Sequence, residues 1–165
     1  MNRRSALAFA TLALVGATAC LAVGCNDDGA AAWLEATRQA HASADAANDP
    51  RAAERVLLEA FEREVPSSVA NEDARVVRQD LAYRLASIAL DDERAEDARR
   101  FADRGLQLGT ATDVFTANLY VARGQAREVL GDAVGAAGDY HEALIVNEAL
   151  LDRVLGDSTT SEDER

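Results

Sequence analysis

The chain has two hydropathy regimes. From Ser5 to Val23 the side chains are uncharged and mostly apolar or small, and the run ends at Gly24-Cys25. From Asp27 onward acids come thickly, and apolar residues fall into stripes spaced three and four apart. That spacing marks helices with one buried face. The period of two that marks a half-buried strand is not found in runs bounded by turns.

Six helices are predicted. The first spans about 31–47 through Trp33, Thr37, Ala40 and Ala44. Asp49-Pro50 then supplies an N-cap with proline at the first helical position, where no N–H is missed. The second helix carries Ala53, Val56, Leu57, Ala60 and Phe61 and stops near Pro66. Asn71, with Glu72 and Asp73, is expected to cap a third whose buried face is Val77, Leu81, Leu85 and Ile88. Asp91-Asp92 interrupts, and a fourth follows through Ala98, Phe101, Ala102, Gly105 and Leu106 to Gly109. Thr112 or Asp113 caps the fifth, striped by Phe115, Leu119, Ala122, Ala126 and Val129. After a tight turn at Gly131-Asp132, the sixth runs from about Ala133 to Leu155 and is expected to bury Ala137, Tyr140, Leu144, Leu151 and Leu155. Short connections make the helices antiparallel neighbours. The expected fold is all-α, three hairpins over residues 31–156, with a polar, disordered tail over 157–165.

The hairpins look alike. Ala53-x3-Leu57-x2-Ala60-Phe61 recurs as Ala98-x3-Ala102-x2-Gly105-Leu106 and again as Ala136-x3-Tyr140-x2-Ala143-Leu144. Small residues at these places let two helices approach closely, while the bulkier neighbour fills the space between hairpins. The pattern resembles the tetratricopeptide repeat, W-x2-L-G-x2-Y followed by A-x3-F. In the last unit Tyr120, Gly124, Ala136 and Tyr140 stand at its positions, while Arg123 and Arg127 replace apolar ones. The middle unit offers Ala82, Leu85, Ala86, Ala89 and Ala98; in the first, His41 takes the glycine's place. The signature alanines are 45 and then 38 residues apart, against about 34 in the family. A helical bundle without repeats is the alternative.

The N-terminal regime is of another kind. Arg3 and Arg4 precede the apolar run, as in a bacterial export signal. Ala22-Val23-Gly24-Cys25 resembles the lipobox of bacterial lipoproteins, in which small residues precede an acylated cysteine. The expectation is a signal peptide over 1–24, a lipid anchor on Cys25 and a polar tether over 25–30. Cleavage before Cys25 removes Cys20, leaves no thiol for a disulfide and agrees with a stable acyl anchor. A plain secretory signal and an uncleaved apolar anchor are the alternatives.

Charge narrows the partners. The 17 basic side chains are all arginine, against 29 acids. Loss of Arg3 and Arg4 leaves fifteen against 29, a balance of −14. Such a surface repels nucleic acid and favours basic partners.

Little points to catalysis. His41 and His141 are far apart in sequence, and His141-Glu142 lacks the second histidine of a zinc helix because Ile145 stands there. The glycines from Gly131 to Gly138 follow no strand and match no phosphate loop. No enzyme activity, cofactor or metal is expected. The expected role is an exported, lipid-anchored adaptor that binds another protein or peptide in the bacterial cell envelope. In the family the groove is lined mainly by the first helix of each pair. The resemblance therefore implies Arg38, His41, Arg78, Arg84, Asn118, Arg123 and Arg127 as contacts, in a locally positive groove. The alternatives are an envelope assembly factor, such as a pilotin or an outer-membrane assembly lipoprotein, and a helical-bundle enzyme or small-ligand carrier.

Overall fold

Asp49 lies in extended conformation, and its carboxylate accepts from the amides of Arg51 and Ala52, so α2 (Pro50–Glu62) starts where the sequence places it. Asp113 does the same for α5 (Val114–Val129), accepting from Thr116 N at 2.8 Å. The other helices are α1 (Asp27–Asp45), α3 (Asn71–Asp91), α4 (Ala95–Leu106) and α6 (Ala133–Thr160). The computed structural model describes residues 27–160, with side chains over 28–156. All six elements among them are helices.

Three boundaries differ from the sequence reading. Asn71 is the first helical residue of α3, not its cap; Ala70 takes that place and offers no side-chain bond. Residues 27–30, expected in the tether, are already helical and belong to α1. Helix α6 passes through Gly156 to Thr160, into the stretch expected to be disordered, because one glycine weakens a helix without ending it. Cys25 and the apolar run before it lie outside the described residues.

Each helix packs on its neighbours in sequence: α1 on α2, α2 on α3, α3 on α4, α4 on α5 and α5 on α6, with α3 also beside α5. No described helix returns to close the row into a ring. One core runs through it, from Ala40 and Ala44 past Leu57, Ala60, Phe61, Leu81, Ala82 and Leu85 to Ala102, Leu119 and Ala122. The expected packing residues Ala53, Ala98, Ala136 and Ala143 are buried as well. A Cβ on Gly105 would stand 2.8 Å from Leu119 Cδ1 and 2.9 Å from Ala82 Cβ, so glycine here lets α4 seat on α3 and α5 together.

The last two hairpins share one turn, 38 residues apart. After α3, Glu93 adopts φ +56° and Arg94 N donates to Ala89 O; after α5, Gly131 adopts φ +81° and Asp132 N donates to Arg127 O. Both satisfy the free carbonyls of a helix end in the same way.

The stripe expected on α6 is not its buried face. The helix meets α5 through Ala136, Asp139, Ala143 and the edge of Tyr140, while Ala137, Leu144 and Leu151 face outward. With 28 residues against 16 in α5, α6 overhangs α5, its only helix neighbour among the described residues, by about three turns. Val129 of α5 is exposed too.

Candidate functional site

The first helices of the three hairpins, α1, α3 and α5, share one face. Leu34 and Thr37 of α1, Val76 and Val77 of α3 and Phe115 of α5 line an open cleft of about 300 Å³, rimmed by Arg38, His41 and Asp80. Its apolar floor is drawn from all three helices.

His41 anchors the rim. The Arg84 guanidinium donates to its Nδ1 at 2.6 Å, and its Nε2 lies 3.3 Å from Asp80 Oδ2. A guanidinium can only donate, so Nδ1 accepts and the ring proton sits on Nε2, facing Asp80. Arg84 also pairs with Asp45. Burial holds the His41 imidazole below the ordinary histidine value; Asp80 works against this, and Arg84 adds to it. The group is a neutral pin between α1 and α3. Arg84 thus bridges His41 and Asp45, which lie one helical turn apart on α1. No three acidic, histidine or cysteine side chains among the described residues could share a metal ion.

The seven sequence-derived candidates separate into three places. Arg38, beside its partner Glu35, lines the cleft with His41, Arg84 stands behind His41, and Asn118 lies half-buried on α5 one turn from Phe115. Arg78 points elsewhere: it donates to Arg63 O at 2.9 Å, lies over the Phe61 ring and lines a cleft with Val65, Asn71, Ala74, Arg75 and Leu108.

Arg123 and Arg127 do not make a positive groove. Both reach Asp139 of α6, which is 3% exposed: Arg123 Nη2 donates at 2.6 Å and Arg127 Nη1 at 2.9 Å. Arg123 also donates to Asp103 of α4 at 2.9 Å, and Arg127 to Gly135 O at 3.1 Å. At the shared offset of 38 residues, Arg123 and Asp139 stand where the preceding hairpin has Leu85 and Phe101, both part of the apolar core. The last hairpin thus substitutes an internal ion pair for an apolar contact. The two guanidiniums find their carboxylate inside the chain.

The floor residues were within reach of the sequence. Val77 and Phe115 belong to the predicted stripes, but their place at the border of core and cleft follows only from the stacking of three helices. The rim is acidic on balance, since the three carboxylates of Glu35, Asp45 and Asp80 outnumber the guanidiniums of Arg38 and Arg84. No described helix is long and apolar enough to cross a membrane. In comparisons with known proteins, no family model, curated protein or solved structure matches the chain.

Proposed function

We propose that this chain is an exported, lipid-anchored adaptor that holds a segment of another protein against the α1–α3–α5 face in the bacterial cell envelope. The observation that carries this reading is the apolar cleft on that face, at the meeting of three successive hairpins. An open row of helices can offer such a trough without losing its core, because the core lies between the hairpins. Repeat-like organisation, the resemblance to tetratricopeptide hairpins and the lipobox-like Ala22-Val23-Gly24-Cys25 all favour the same role.

The test is site-specific photocrosslinking in the native envelope. A crosslinker at Val77 should yield an adduct with a discrete partner, and one at exposed Arg99 on α4 should not. Equal adducts at both positions would remove the cleft from the proposal. For the anchor, Cys25→Ser should release the chain from the membrane fraction; retention would exclude Cys25 as the attachment point.

A further inference from the structure

Phe61, Leu106 and Leu144 hold one position in the three hairpins, as the apolar residue after the small one in each second helix. In the first hairpin α3 packs against α2, and Phe61 is only 7% exposed, with Arg78 and Arg104 over its ring. In the second, α5 packs against α4, and Leu106 joins the core. Among the described residues nothing follows α6, and Leu144 is 66% exposed. Each second helix therefore has an edge on which the next helix is laid, and only on α6 is that edge bare.

The bare edge continues. Leu151, seven residues on from Leu144, lies in the same stripe, and Val154 borders it. All three are exposed, in a helix whose only helix neighbour among the described residues is α5. Glu148 and Asp152, one turn apart, run along the other side, exposed and in no ion pair found among the described residues.

We infer that this edge of α6 is a docking surface for an amphipathic helix of a partner protein, with apolar residues at helical spacing and arginine or lysine beside them. A helix fits because the stacking interface used twice inside the chain continues onto α6. Basic flanks fit because Glu148 and Asp152 border the stripe. A second copy fits worse: it would set the same two carboxylates against each other, in a chain of net charge −12. The same carboxylates disfavour an anionic bilayer surface. The surface is separate from the cleft, so either can fail alone.

The probe is a synthetic helical peptide with leucines at positions i, i+3, i+4 and i+7 flanked by lysines, and a twin with glutamates for the lysines. Binding is read by fluorescence anisotropy on the full chain in zwitterionic nanodiscs, with empty discs as the blank. The lysine peptide should bind at least about tenfold more tightly than its twin. Leu144→Glu with Leu151→Glu should abolish binding while far-ultraviolet circular dichroism stays helical. Glu148→Lys with Asp152→Lys should reverse the preference. Equal binding of both peptides, binding matched by empty discs, or binding untouched by the leucine variants would overturn the proposal. So would a dimer in sedimentation that Leu144→Glu dissociates, which assigns the edge to a second copy.

Discussion

Tyr140 of α6 rests against Gly124 of α5 so closely that a Cβ on the glycine would stand 2.6 Å from Tyr140 Cε1. No ring tolerates such an approach, so Gly124→Ala must push the two helices apart or turn the tyrosine away from Glu128, to which its hydroxyl donates at 2.9 Å. Overpacking costs about 1–3 kcal/mol, while alanine in a helix returns about 1 kcal/mol. Urea unfolding should show Gly124→Ala destabilised by up to about 2 kcal/mol. Gly138, also in α6, has open space around it. There alanine should stabilise by about 0.5–1 kcal/mol, and the opposite signs separate packing from propensity.

Removal of Asp139 takes from Arg123 and Arg127 the one buried carboxylate they share, leaving Arg123 with Asp103 and Arg127 with Gly135 O. Asp139→Ala should lower unfolding free energy by about 1–3 kcal/mol, the cost of losing hydrogen bonds to a charged partner where the guanidiniums keep other acceptors. Leu at Arg123 together with Phe at Asp139 restores the apolar pair of the preceding hairpin and should recover most of that loss. A double variant no more stable than Asp139→Ala would show that the two hairpins do not pack alike.

Asp113 caps α5 and pairs with Arg75 at 2.5 Å. Burial alone would raise its carboxyl pKa, but the Thr116 amide and Arg75 outweigh it and hold the group below the usual carboxylate value. The folded state therefore releases this proton more readily than the unfolded one, and the stability so gained is present at neutral pH and lost on acidification. Asp113→Ala should cost about 1–2 kcal/mol at pH 7. Its difference from the parent should shrink as pH falls through the carboxylate range, as measured by thermal melts at several pH values.

His41 carries a second pH dependence. Its folded value lies below the ordinary one of 6.5, so the unfolded chain takes up the proton first. The contribution is complete above pH 6.5 and is lost as pH falls toward the folded value. Proton resonance titration should place the His41 midpoint below 6.5. His41→Gln should flatten this part of the stability profile; a midpoint at or above 6.5 would contradict the packing of His41 under Arg84.

Local chemistry was readable in advance and long-range chemistry was not. Asp49-Pro50 and Asp113 announce their helices because a cap needs only residues two or three away. Arg123 and Arg127 misled because their partner, Asp139, lies 16 and 12 residues on, in another helix. On α6 the stripe through Leu144 and Leu151 is real, but periodicity reports an apolar face without saying whether the chain covers it. The cleft was half legible: Arg38 and His41, named from the repeat pattern, line it and Arg84 holds His41 from behind, while its floor depends on how far α1, α3 and α5 stand apart.

Helix α1 is already under way at Asp27, so at most two peptide units separate Cys25 from a rigid rod. Two units reach at most about 7 Å. Acylation at Cys25 would thus moor the body with its leading end at the headgroups and almost no rope. Encounters would then be a search in the plane of the bilayer, confined to molecules that come within a domain's width of it.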